Sequence, residues 1–182
     1  HSGFIFDKIN DYLDSKTTLV LNGNDGISGL LGDGVCNRVF YSVNKTEKST
    51  DTCVDTVCDL IACPKCNHKL DYEFFHYNHI GVPKCSHCGF SMPESRFFAS
   101  DVDFQNGTFV FNGDKGEQLV LPYQKGNFFN VFNITGACAI CRLMGIDIDI
   151  IANSIEDLSS KTGRFQENKF GGVEVVSMLS KN

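Results

Sequence analysis

The sequence has no excess of positive charge: sixteen Lys and Arg stand against twenty-two Asp and Glu, a formal net charge of −6 with a pI near 5.3. A protein that tracks a phosphate backbone carries a basic face, so this balance argues against a nucleic-acid partner. No apolar run is long enough to span a bilayer. The opening "HSGFIFDKIND" turns acidic by Asp7 and does not read as a secretory leader. Also missing is a phosphate cradle of the G-x-x-x-x-G-K-[ST] type. The letters Lys161-Thr162 occur in "SKTGRF" without the preceding glycines that would form an anion nest.

What is present suits a folded domain. The 182 residues are 42% hydrophobic, ample for one core or for one domain carrying a small insert. Nine cysteines are an odd number, and four of them form two Cys-x-x-Cys doublets. With no leader in view, this usage points to reduced thiols in a cytoplasm rather than to disulfides. Asn-x-Ser/Thr triplets at Asn44, Asn106 and Asn133 are read as unglycosylated.

Hydrophobic periodicity sorts the chain into an α/β pattern. Residues 4–15 place Phe6, Ile9 and Leu13 at helical spacing. "TTLVLNG" reads as a short buried strand that breaks at Asn22-Gly23-Asn24-Asp25-Gly26. "GISGLLG" reads as one helical turn and "CNRVFYSV" as a second strand, placing Cys36 in the interior. After a polar stretch, Asn44–Asp55, comes the cysteine-rich segment. Three β-type runs follow, "FFASDVDF", "GTFVFNG" and "EQLVLPY", joined by tight turns into a meander. A helix is expected from Asn130, with Phe129, Phe132, Asn133, Gly136, Ala137, Ile140, Cys141 and Met144 on one face and Gly145 at its end. A second helix over Asp149–Ser159 and a final strand in "GGVEVVSMLS" complete the pattern.

The doublets Cys63/Cys66 and Cys85/Cys88 enclose eighteen residues, a spacing that marks a zinc site. Each Cys-x-x-Cys turn delivers two thiolates from one bend, and four thiolates leave zinc no open position. The metal is therefore structural. Sites of this kind contribute roughly 10–16 kcal/mol in small zinc peptides. Lys65, Lys69 and Lys84 are placed to offset the negative site. His68 and His87 adjoin ligand cysteines and compete as ligands, while His76 and His79 lie in the hairpin. The expectation for all four is solvation or a backbone bond. Tyr72, Phe74, Phe75 and Tyr77 offer stacking surfaces, yet the segment is not basic, and the aromatics are read as packing. Cys138 and Cys141, three apart on a helix, are read as core residues. Cys53 and Cys58 flank the entry to the ribbon and receive no role.

In order, "LNGND", "CPKC", "CSHCGFSMP", "GNFFNVFNITGACAICRLMGI" and "GRFQENKFGGVEVVSMLSKN" resemble the central domain of the Mur ligase family. More narrowly, they resemble its MurT-type subunits, in which a four-cysteine ribbon interrupts the central ATPase domain. The resemblance covers nearly the whole chain. It implies a partial Mur ligase central, P-loop ATPase-like α/β domain over 1–57 and 96–182, with an inserted β zinc ribbon over 58–95. It also implies an ATP-dependent carbon–nitrogen ligase that amidates the D-glutamate of lipid II to D-isoglutamine. ATP and Mg²⁺ activate the carboxylate, and a GatD-type glutaminase supplies ammonia at the cytoplasmic face of the membrane.

Carried across residue by residue, Asn130 and Asn133 match the family's N-x-x-N at the adenine edge, a role an amide's paired donor and acceptor can fill. Helix capping is the alternative for both. Arg164 matches the Gly-Arg motif near the phosphates, where a planar guanidinium fits. Asn22 and Asp25 match the "LNADD" loop near the nucleotide, although Asn24 replaces the first aspartate and Gly26 the usual proline. The phosphate loop and the ligase domain of the family would lie outside these 182 residues, so the chain by itself is expected to be inactive and to self-associate through a severed sheet edge. The competing class is a free-standing zinc-ribbon module that binds protein or nucleic acid.

Overall fold

The structure is a computed structural model that describes residues 8–55, 58–158 and 165–178. For 156–158, 165–170 and 174–178 the backbone alone is described. The main sheet has five strands: β1 (Thr18–Asn22), β2 (Asn37–Val43), β5 (Phe97–Asp103), β6 (Thr108–Asn112) and β7 (Gln118–Pro122), in the order β1-β2-β5-β6-β7. β1, β2 and β5 run parallel, and β5–β6–β7 is an antiparallel meander. The meander turns at Asn106-Gly107, with Gly107 at φ +71°, and again around Gly113–Gly116.

Alternation decides which face is buried. Ala99 pairs with Phe111 and Phe109 with Leu121, and all four are at most 1% exposed. One residue out of phase, Val120 points to solvent at 65% exposure. Each fully buried phenylalanine of this face contributes about 1.5–3 kcal/mol. Helix α1 (Phe129–Leu143) lies against β1, β2 and β5, and α2 (Ile148–Leu158) lies against β7 and α1. α1 ends where Gly145 takes φ +80°, as expected of a helix stop. A separate hairpin, β8 (Phe165–Phe170) with β9 (Val173–Met178), follows.

The buried face of α1 differs from the sequence expectation. Val131, Phe132, Thr135, Gly136, Cys138 and Ala139 are buried, whereas Phe129, Ile140 and Met144 are 45%, 47% and 73% exposed. The apolar residues of this helix run almost all round, so periodicity alone could not choose the face. Tyr41 of β2 chose it: a Cβ on Gly136 would lie 2.9 Å from its ring, so the helix seats its glycine there. Cys36 is half-buried just before β2, not interior, with its thiol 3.8 Å from the carbonyl of Gly32. Of the expected first helix, residues 8–10 are helical, the chain turns at 11–12, and residues before 8 lie outside the described residues.

Parallel neighbours need a long crossover, usually a helix. Between β2 and β5 that crossover is the cysteine-rich segment. It carries its own antiparallel pair, β3 (Asp71–Tyr77) and β4 (Ile80–Lys84), closed by the two-residue turn Asn78-His79. Gly81 permits the close pairing, since a Cβ there would meet the Phe74 carbonyl at 2.2 Å.

Candidate metal centre

Both cysteine turns have the same local construction. In the first, the amide of Asn67 donates to the carbonyl of Cys63 at 2.8 Å; in the second, the amide of Gly89 donates to that of Cys85 at 3.0 Å. The residue after the second cysteine is left-handed in each, Asn67 at φ +61° and Gly89 at φ +72°. This bend turns backbone amides toward the sulfurs, as the amide of Lys65 to Cys63 Sγ at 3.4 Å shows.

The four sulfurs converge. Cys63 and Cys88 stand 3.6 Å apart, Cys66 and Cys85 also 3.6 Å, and all four Sγ atoms lie within 4.8 Å of one another. No disulfide is formed. Zn–S bonds of about 2.3 Å at tetrahedral corners place sulfurs roughly 3.8 Å apart, so the cluster fits one such ion. The amides of Cys88 and then His87 bring the Cys85 thiol down to about 7. At Cys66 the amide of His68 also lowers the thiol, but burial and the bonds to Cys88, Cys85 and Cys63 outweigh it and push it up to about 12. One negative charge suppresses the next, and a divalent cation removes that conflict. Cys63 and Cys85 are buried with Leu70 and Phe90, which closes the inner side of the site.

The histidines divide. His68 and His87 are exposed and stack at 3.5 Å over the cluster, and His68 Nδ1 lies 3.3 Å from the Cys66 carbonyl. His76 donates from Nε2 to the Val43 carbonyl at 3.0 Å, leaving Nδ1 to accept from Ser49 at 3.1 Å. Burial holds it below its ordinary pKa, against that backbone bond. His79 Nε2 lies 3.2 Å from Asp25 Oδ1, a contact across elements that spacing did not reveal. A signal was present: an apolar Ile-Gly beside the turn of a hairpin needs something to pack against. Lys84 is 3.9 Å from Glu73.

The remaining sequence candidates lie at the carboxyl end of the parallel strands, or outside the described residues. Asn22 ends β1, and its Oδ1 accepts from the amide of Asn24 at 2.9 Å. The Asp25 carboxylate accepts from the amide of Ile27 at 2.9 Å and the hydroxyl of Ser28 at 3.1 Å. Burial opposes its ionised form, but the bonds from His79, Ile27 and Ser28 prevail and hold its pKa below 3.8. Asn130, half-buried, and Asn133, exposed, sit on the first turns of α1, 3.5 Å from each other; no side chain caps that helix, so the capping alternative fails. Beside this turn a cavity of about 300 Å³ is lined by Lys48, His76, Tyr77, Phe104, Phe128 and Phe129, among others. Arg164 lies outside the described residues. Sequence reasoning had missed Asn24, which is 1% exposed and whose Oδ1 accepts from the amide of Val43 at 2.7 Å.

No family model matches the chain. The MurT subunit of lipid II isoglutaminyl synthase (glutamine-hydrolyzing) from Staphylococcus aureus strain COL is 26% identical over 164 residues, 90% of this chain and 36% of that protein. Its counterpart from Streptococcus pneumoniae strain R6 is 26% identical over 190 residues, 99% of this chain and 40% of that protein. The structure of a pseudomurein peptide ligase type C from Methanothermus fervidus superposes with a TM-score of 0.71 at 27% identity, covering 91% of this chain and 32% of that one. The chain thus spans two-fifths or less of the curated relatives it matches. In sequence it is a homologue of the MurT subunits, and in fold it is similar to a pseudomurein peptide ligase.

Proposed function

We propose that this chain is one part of the central, ATP-handling domain of a peptidoglycan ligase of the MurT type. In this reading the frame covers 1–57 and 96–182 and the zinc ribbon 58–95. The observation that carries it is the sulfur cluster of Cys63, Cys66, Cys85 and Cys88, set in the β2–β5 crossover of a frame homologous to such ligases. Zinc bound there closes the ribbon and activates no water, because four thiolates fill its coordination sphere.

The chain's own residues do the rest. In open α/β sheets ligands bind outside the carboxyl ends of the strands. Asn22 and Asp25 stand at that edge, and Phe128, next to the first turn of α1, packs on His76 and Tyr77 there. The amides of Asn130 and Asn133 take the adenine edge, and the aromatic cavity beside them excludes water from the base. Arg164 serves the phosphates. Mg²⁺, the phosphate loop and the acyl acceptor belong to other parts of the longer ligase. That ligase amidates the D-glutamate of lipid II to D-isoglutamine with ammonia from a GatD-type glutaminase, in the cytoplasm at the inner face of the membrane. Among the described residues no helix is long and apolar enough to cross a membrane. Taken alone, the chain is inactive and self-associates through the free edge of β1.

The experiment is metal quantification combined with ATP-analogue binding, on this chain and on the longer protein. About one zinc per chain is expected in both, with tight nucleotide binding in the longer protein only. Tight binding in neither sinks the nucleotide reading. The ribbon-module alternative draws no support from the geometry, because Ile80 of the ribbon is buried in the main core.

A further inference from the structure

We propose that His79 is a positioning residue for the Asn22–Asp25 loop, and that the metal ribbon works as a latch on that loop rather than as a folding staple alone. The tip of the β3–β4 hairpin meets the loop through one backbone bridge and one side-chain contact. The amide of Gly81 donates to the carbonyl of Asn24 at 2.8 Å, and Ile80 forms an antiparallel bridge with Asp25. His79 Nε2 lies 3.2 Å from Asp25 Oδ1, while its Nδ1 is 3.6 Å from Asp59 Oδ2. The imidazole is 14% exposed and the Asp25 side chain 25%, so the pair is largely shielded from water.

The amide of Ile27 donates to the same Asp25 oxygen, Oδ1, at 2.9 Å, and the Ser28 hydroxyl lies 3.1 Å from Oδ2 and 3.0 Å from the Asp25 carbonyl. In this reading Asp25 and His79 order the loop that carries them. The loop ends β1 at the edge where ligands of such sheets bind, and the hairpin that pins it is closed at its other end by the sulfur cluster. Metal binding and loop order are thus linked, and linkage is reciprocal: whatever the loop holds also tightens the ribbon. The loop's role toward a nucleotide rests on the function proposed above; the latch itself does not.

The test compares His79→Ala with His79→Gln, which keeps an N–H donor, in the zinc-loaded chain. Amide exchange is followed by mass spectrometry over residues 22–28, with β6 and the zinc content as fold controls. His79→Ala is expected to speed exchange of the loop about tenfold with zinc retained, and His79→Gln to restore most of the protection. Asp25→Ala should act alike, and the double variant should add little to either single change. Unaltered loop exchange in His79→Ala overturns the latch. So does loss of zinc along with loop protection in both His79 variants, because His79 would then merely fold the ribbon. In the longer protein, the latch predicts weaker binding of a magnesium–ATP analogue in His79→Ala. A loosened loop with unchanged nucleotide affinity upholds the latch and sinks the nucleotide reading of that edge.

Discussion

The frame and the ribbon are held together by different physics. In the frame, Phe97, Phe109, Phe111, Leu121 and Val131 are at most 1% exposed and form one continuous core with the helices. At the sulfur end of the ribbon, the buried set is Cys63, Leu70, Cys85 and Phe90. So small a cluster cannot offset the conformational entropy of the chain it must order. One end of the ribbon gathers four sulfurs in a geometry that fits a metal ion, and the other borrows the core of the frame through Ile80. A crossover that cannot bury enough surface of its own is thus fixed at both ends.

The strongest way to break the comparison is to remove the metal. Chelation, or Cys63→Ser, should take zinc from about one per chain to none and abolish amide protection in β3 and β4. β5–β7 should stay protected; exchange of both regions in step would show that the two are one cooperative unit. Next in size is the reverse experiment. Phe97→Ala should destabilise the frame by about 3–5 kcal/mol in urea titration, with zinc content unchanged. Smaller still is Asn24→Ala, which strips a buried acceptor from the amide of Val43 and should cost about 1–3 kcal/mol at the seam between the regions.

The smallest expected effect is a pH dependence at the same seam. His76 has a folded pKa below its ordinary 6.5, so the unfolded chain binds the proton more readily. Its contribution is complete above pH 6.5 and lost as pH falls through the folded value. Asp25 follows the carboxylate pattern, with its contribution present above 3.8 and lost at lower pH. Urea midpoints from pH 7 to 5 should fall in the parent chain and less so in His76→Gln.

Strand identity was legible because alternation and tight turns are local. "GTFVFNG" and "EQLVLPY" become β6 and β7, joined at Gly113-Asp114 as their turn residues suggest. The sulfur cluster was legible too, since two Cys-x-x-Cys bends have few other uses. The buried face of α1 was not, because Phe129, Ile140 and Met144 are as apolar as the residues that were buried in their place. Nor could spacing reveal His79 against Asp25, which are far apart in sequence and meet only because the crossover folds back over β1. Asn24 looked like one more turn residue, and its burial follows from the hairpin covering it.

By itself, then, the sequence determined most of the strands, the helix after the meander and the knuckle bends that carry Cys63, Cys66, Cys85 and Cys88, all set by residue chemistry within a few positions. Only the tertiary structure decided which face of α1 meets Tyr41, and that the ribbon is the crossover between β2 and β5. The pinning of the Asn22–Asp25 loop by its hairpin was decided there as well. Each of these depends on shape and charge complementarity between segments distant in the chain, which no local pattern encodes.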